Sequence, residues 1–428
     1  MSHCSVRRGG GLGSAFERLL GASWADRQKG VPCWTMLSLA FVWLFQSLSR
    51  GASLEERFED ARGWLDLFAP RRRGATYQGF VKALRRSGEI ASAWVAHAFR
   101  ERLGEWSGPD FRVAGWVPLA MDGTRFECPR SRSCQKKIGV AARDKSAPQL
   151  VLASLWHLGV HAWYDFRIAA ALVGERTLMK DMLSTLPERT LLIGDAGFVG
   201  FEFCVELAQR GAWHLLRVGS KTTLLKDLGD SARVGRDLVH LWPTKHRRAT
   251  PLLLRLIEVG RGKNKVYLVT NILDPFALSK NQAAAFYRQR WGIETAYRAM
   301  KQTLERQTLK SRAADLAALE LAGVVLGHWA LALLSLQARG RKRATRGWST
   351  AKTVRTLRHG LQRGAPRRCW RDELRRGLLT PPKRRGKNKR RQEWARVKTH
   401  QPCGAPTVRP ANSTELAALQ RLATSTIQ

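Results

Sequence analysis

The spacing of apolar and polar positions changes character along the chain. From residue 14 to about 110, apolar residues recur every three or four positions, which predicts helices over residues 15–20, 34–48, 54–68, 77–86 and 90–103. Gly51, and Pro70 with the three arginines 71–73, interrupt that series. Beyond Gly108-Pro109 the pattern becomes short apolar runs at 116–121, 150–156, 191–193, 213–218, 252–259 and 266–270, bounded by Gly, Asp and Pro, which read as strands. Helical spacing returns over 175–183 and 201–210, and again from about 280 to 337. Strands followed by strand–helix–strand imply a mixed α/β layer fold.

Two stretches test for membrane spans. Residues 36–48 are apolar but too short to cross a bilayer. Residues 321–336 contain Gly323, Gly327 and His328 and follow the charged Asp315 and Glu320, so a buried core helix is the expectation. The first residues carry charge with no apolar stretch behind them and do not read as a signal peptide.

Charge alters the picture more than composition does. The 428 residues include 74 Lys+Arg against 34 Asp+Glu, a formal net charge of +40. Such an excess needs a polyanionic partner, nucleic acid or an anionic membrane surface, and the lack of a convincing span favours nucleic acid over membrane. Between Arg339 and Lys398 lie 23 Lys+Arg and three acids, with Trp348, Trp370 and Trp394 interleaved and a peak at 381–391. A solubilising tail accounts for the charge; the interleaved aromatics fit a nucleic-acid-contacting segment better. The seven cysteines, Cys4, Cys33, Cys128, Cys134, Cys204, Cys369 and Cys403, include no CxxC pair, which suits a reducing compartment and argues against a zinc site.

Three acids stand out by context. Asp122 closes the run GWVPLAMD and Asp195 closes TLLIGD, each with Gly close behind, as expected of carboxylates at strand ends. Asp-Gly is equally a turn signal. In FYRQRWGIETAYRAMK, Tyr287, Arg290, Glu294 and Lys301 fall within an arc of roughly 60° on a regular helix, beside an apolar stripe of Ile293, Tyr297, Met300 and Leu304. A solvated ion-pair face explains the charges but gives no reason for the tyrosine. Three carboxylates suit two divalent ions of the kind that activate phosphodiester chemistry, with Arg, Lys and Tyr holding phosphates.

The run Tyr287-x2-Arg290-x3-Glu294-x6-Lys301 resembles the Tyr-Arg-Glu-Lys signature of bacterial insertion-sequence DDE transposases, in the subgroup with a β-strand insertion. Asp122-Gly-Thr and Asp195-Ala-Gly-Phe resemble that family's first and second acids. The resemblance covers about residues 112 to 337. It implies a ribonuclease-H-like catalytic core with a β-rich insertion, preceded by a helical N-terminal domain and followed by a basic tail. The corresponding division is 1–110, 111–337 with the insertion at about 218–278, and 338–428 for DNA contact or dimerisation. It further implies Asp122, Asp195 and Glu294 as catalytic metal ligands for two Mg²⁺ ions, with Mn²⁺ as the substitute, and Tyr287, Arg290 and Lys301 on DNA phosphates. Tyr267, in KVYLVTN, stands where the family places a base-stacking aromatic; a strand tyrosine in the core is the alternative reading.

The implied function is metal-dependent cut-and-paste movement of an element with terminal inverted repeats, by a homodimer in the DNA complex, in the bacterial cytoplasm and on the nucleoid. A DNA-binding relic without catalysis is the alternative, and another nuclease on the same core is a third reading. Two departures from the family pattern are the Ala196 after the second acid and Pro118 within the first strand, which implies an edge or a bulge.

Overall fold

The computed structural model describes residues 12–24, 34–67, 69, 75–140, 147–228, 237–262, 265–339, 348–362, 374–375 and 404–425. The charge peak at 381–391, Arg71–Arg73, Trp370, Trp394, Cys4, Cys33, Cys369 and Cys403 lie outside these residues. The described chain is mixed α/β and divides into two compact units. Unit 1 comprises residues 1–113, 123–182 and 292–381, and unit 2 comprises 114–122, 183–291 and 382–428.

Unit 1 begins with helices α1 (Leu12–Leu20), α2 (Met36–Phe45), α3 (Leu54–Leu65) and α4 (Tyr77–Ser107). Thr35, Ser53 and Thr76 cap α2, α3 and α4 by accepting from the amides of Ser38, Glu56 and Gly79. The sequence pattern predicts two helices over 77–103, whereas α4 runs unbroken for 31 residues through Gly88. There a Cβ would meet Leu319, so Gly88 serves close helix packing and not a break. Strand β1 (Val117–Glu127) gives its residues 123–127 to unit 1, followed by α5 (Arg132–Lys137), β2 (Gln149–His157), β3 (Ala162–Ala170) and α6 (Glu175–Lys180). The β2–β3 hairpin is antiparallel. β3 escapes the sequence pattern because Asp165 and Arg167 interrupt its apolar run; Asp165 is buried and paired with Arg167 at 2.9 Å and Arg100 at 3.4 Å.

Unit 2 holds residues 117–122 of β1, β4 (Thr190–Gly194), α7 (Phe201–Gln209), β5 (Trp213–Val218), β6 (Thr223–Lys226), β7 (Leu238–Leu241), β8 (Leu252–Val259), β9 (Val266–Thr270) and α8 (Lys280–Gln289). β1, β4 and β5 are parallel neighbours, and β9, β8, β7 and β6 continue the sheet antiparallel from β5. Among its described residues, the stretch 218–278 thus carries the four strands β6 to β9. Pro118 pairs with Leu191 in an uninterrupted register, so no bulge forms at that position on the β4 side.

The chain returns to unit 1 through α9 (Trp291–Arg298), whose residues from Gly292 onward belong there, a π-helical turn (Ala299–Thr303) and α10 (Ala314–Arg339). α10 is long and apolar enough to cross a membrane, yet it is largely buried as the central helix of unit 1. α11 (Thr350–Gln362) packs on it. Far along the basic region, β10 (Thr407–Pro410) joins β6 in parallel within unit 2, followed by α12 (Ser413–Ser425). Glu415 there binds Arg409 at 2.7 Å and Arg247 at 2.5 Å, which holds its carboxyl down at about 2.

Three buried imidazoles give the fold a pH signature. Burial pushes His157 and His214 down to about 4 and His328 to about 3. Between those values and 6.5 each is neutral when folded and protonated when unfolded. Stability is therefore full above about pH 6.5 and falls as pH drops toward 4, by up to about 1.4 kcal/mol per pH unit for each imidazole. Urea unfolding at pH 7 and pH 5 should show this loss. His328 binds Trp163 at 2.9 Å and Thr350 at 3.0 Å, so His328→Gln should flatten the slope.

Candidate functional site

Asp122 and Asp195 come together through strand register. β1 and β4 pair in parallel from Val117↔Thr190 to Ala120↔Ile193, a constant offset of 73 residues. Carried two positions further, the same offset sets Asp122 opposite Asp195. Both residues are half-buried, and Asp195 still has extended backbone, φ −84° and ψ −175°. Both acids stand two residues beyond the last paired position, Ala120↔Ile193, on neighbouring strands spaced about 4.8 Å apart. The expectation of a strand end is corrected for Asp122. β1 continues five residues past it, to Glu127, and only its pairing with β4 stops there.

Local packing explains the glycines around these acids. A Cβ on Gly194 would sit 2.9 to 3.1 Å from Leu216, Met121 and Phe198, all in the core of unit 2. Asp195 accepts from the Gly197 amide at 2.9 Å and caps the short turn Ala196–Phe198. This fixes the side chain with one oxygen and leaves the other for a ligand. In unit 1, a Cβ on Gly123 would run into the carboxyl of Glu175, so an acid that the sequence does not flag lies over the backbone next to Asp122.

The signature residues do not share one regular helix. α8 ends at Gln289, its cap Arg290 divides its amide between the Phe286 and Tyr287 carbonyls, and α9 starts at Trp291. From Ala299 the turns widen to π geometry, and Leu304 N–H reaches Ala299 O at 3.0 Å. Equal steps of 100° therefore end before Lys301, which is the physical reason the predicted arc fails there. The apolar stripe does form: Ile293, Tyr297, Met300 and Leu304 are all buried in unit 1. Glu294 is half-buried on the first turn of α9.

In unit 2, Tyr287 and Arg290 are buried, with the Arg290 guanidinium 5.8 Å from the Tyr287 ring centre. Burial raises the Tyr287 phenol above its ordinary value, the positive Arg290 and Arg217 pull it back, and the Asp195 charge adds to the rise. Arg217 on β5 hydrogen-bonds Tyr287, a partner no motif announces. In unit 1, Lys301 donates to Thr124 at 2.7 Å and lies 5.0 Å from the Phe126 ring centre. Burial lowers its ammonium below the ordinary value, partly offset by Glu127. Thr124 sits two residues after Asp122 in Asp-Gly-Thr, the only sequence signal that pointed to it. Tyr267 is half-buried in β9, opposite Val218 of β5 and Glu258 of β8.

Residues 117–329 match the family described as transposase DDE domain. The chain is matched over just under half of its length. It is 25% identical over 265 residues to transposase InsG for insertion sequence element IS4 of Escherichia coli strain K12. That alignment takes in 56% of this chain and 57% of the relative, so the chain spans a little over half the length of the curated protein it matches. Among solved structures it is similar to a piggyBac transposase synaptic complex with hairpin DNA, at 11% identity over 88% of this chain and 84% of that one, TM-score 0.42.

DDE transposases generally use divalent metal ions. The Asp122–Asp195 pair offers hard carboxylate oxygens without thiol or imidazole, a donor set that fits Mg²⁺ with several retained waters. Among the described residues no group of three or more His, Cys, Asp or Glu is arranged to hold a metal ion.

Proposed function

We propose that the chain is a DNA transposase that cuts an insertion sequence at its terminal inverted repeats and joins it to a target. The single observation that carries this reading is the parallel β1–β4 register, which ends at Ala120↔Ile193 inside the matched DDE region, two residues before Asp122 and Asp195. A ribonuclease-H-like arrangement is supported by the parallel neighbours β1, β4 and β5 in unit 2 and by the antiparallel hairpin that follows β1 in unit 1. Asp122, Asp195 and Glu294 are the proposed ligands of two Mg²⁺ ions, which when bound activate the attacking oxygen and stabilise the leaving one.

The chain's own groups position DNA. Arg290, with Tyr287 set by Arg217, takes one phosphate, and Lys301, set by Thr124, takes another; fixed geometry supplies much of the rate. Tyr267 is the proposed stacking surface for an extruded base, worth about 1–3 kcal/mol. In the first step water bonds to phosphorus and the bond to the 3′ oxygen breaks, leaving a 3′ hydroxyl and a 5′ phosphate. That hydroxyl then bonds to a phosphorus of the opposite strand or the target, and the bond from that phosphorus to its own 3′ oxygen breaks, so that this oxygen leaves as a new 3′ hydroxyl. A homodimer pairing two element ends completes the proposal.

The test is cleavage of duplex DNA carrying the element's own ends, with and without Mg²⁺. Metal-dependent release of the ends is the expected result, and none under any metal condition would leave only DNA binding. Lys301→Met should slow cleavage about 10- to 100-fold with little change in melting temperature, since one positioned phosphate contact is worth about 1.5–3 kcal/mol. Equal cleavage by that variant would remove Lys301 from the phosphate set.

A further inference from the structure

The geometry points to a DNA-backbone platform on unit 1, formed by α5 and the chain entering α10, that takes the duplex next to the phosphate held by Lys301. This rests on the DNA reading above and adds a surface to it. From Cys128 to Val140 the chain carries Arg130, Arg132, Lys136 and Lys137 and no acid. Arg132, Lys136 and Lys137 are exposed, as are Lys310 and Arg312 on the connection to α10.

These two stretches are fastened together. Leu309 N–H donates to Glu127 O at 2.8 Å, and Glu127 bridges Thr308. Ser131 Oγ donates to Arg312 O at 2.5 Å, and Ala314 N–H donates to Ser133 Oγ at 3.1 Å. Cys134 is fully buried between them, its Sγ 3.5 Å from Arg312 O. Behind α5, Gln149 N–H donates to Gly139 O and Cys128 N–H to Pro148 O. The cations are thus mounted on a hydrogen-bonded base, and lose less freedom on binding.

The neighbouring acids do not cancel the patch. Asp315 is paired with Arg85 at 3.0 Å, Glu320 is half-buried, paired with Arg57 and accepting from the Lys310 and Ser311 amides, and Glu127 and Glu305 are single exposed carboxylates against six exposed cations, Arg130 included. Position fits a duplex as well. Lys301 meets β1 at Thr124, and three residues of strand lead to Glu127, about 10 Å or roughly three base pairs further on. A backbone engaged at Lys301 therefore continues onto α5. A protein partner would need an acidic face of matching length, whereas duplex DNA supplies evenly spaced charge by its nature.

The experiment measures binding of the full chain to a random-sequence duplex by fluorescence anisotropy across a salt series. The parent is compared with Arg132→Gln/Lys136→Gln/Lys137→Gln and with a count-matched control, Arg210→Gln/Arg248→Gln/Arg421→Gln. For the platform variant we expect an affinity loss of about tenfold or more, a salt slope shallower by about two to three, and an unchanged melting temperature. An unchanged slope, or an equal loss in the control, overturns the platform while the parent's binding still supports the functional reading. A parent that does not bind duplex DNA overturns both.

Discussion

Asp122→Ala and Asp195→Ala, each made alone, are expected to lower DNA strand cleavage by at least about 1000-fold while leaving duplex binding intact. A carboxylate that holds a catalytic divalent ion contributes several kcal/mol of charge stabilisation, and each 1.36 kcal/mol is a factor of ten in rate. Asp195 also has a structural duty, because its side chain accepts from the Gly197 amide at 2.9 Å. Loss of such a cap costs about 1 kcal/mol of stability, so alanine alone confounds two effects. Asp195→Asn separates them: asparagine keeps the capping oxygen and removes the charge. The expected result is near-parent melting with cleavage as low as in the alanine variant. Cleavage by Asp195→Asn within tenfold of the parent would reduce Asp195 to a turn residue and sink the proposed metal role. Asp122→Asn should behave alike, since the same strand offset puts it beside Asp195.

How far these residues were legible in advance depends on what each one's signal was. Asp122 and Asp195 end apolar runs, and a run of buried strand followed by a carboxylate is readable in one dimension. Their pairing is not, because the offset of 73 residues is set by β1–β4 register, which emerges only from folding. The spacing of the Tyr287–Lys301 series predicts one helix because it assumes 100° per residue throughout. A π turn at Ala299–Thr303 leaves the apolar stripe intact while changing where Lys301 points, and no composition announces it. Arg217 and Glu175 were invisible for a simpler reason. Each acts through a residue far away in sequence, Tyr287 and Gly123, and neither stands in a motif. β3 was missed because Asp165 and Arg167 look like loop chemistry until Arg100 is seen beside them. β10 lies in a stretch whose charge dominated the reading, yet four of its residues pair with β6.

Gly327→Val is expected to destabilise unit 1 strongly. α10 is apolar all round, so its burial depends on how closely other helices approach it. At Gly327 a Cβ would collide with Ser47 and stand 2.6 Å from the Leu44 carbonyl, which is backbone and cannot rotate away. One turn earlier, Gly323 faces the Trp43 ring, whose Nε1 donates to Leu319 O at 2.9 Å. Just beyond, the buried Arg306 donates to the carbonyls of Gln46 and Ser49. Valine would therefore push α2 off α10, strain the indole bond and uncover a guanidinium whose burial already lowers its pKa to about 10. Overpacking of this kind costs about 1–3 kcal/mol, and an immovable backbone neighbour puts Gly327→Val at the upper end or beyond. Gly63→Ala is the matched control, because a Cβ there meets nothing within 4 Å on exposed α3 and should add up to about 1 kcal/mol. Hydrogen exchange over α2 and α10, with urea midpoints, reads both. The expected pattern is lost protection in α2 and α10 for Gly327→Val and a raised midpoint for Gly63→Ala. Parent-like protection in the valine variant would mean that α2 and α10 do not pack this closely.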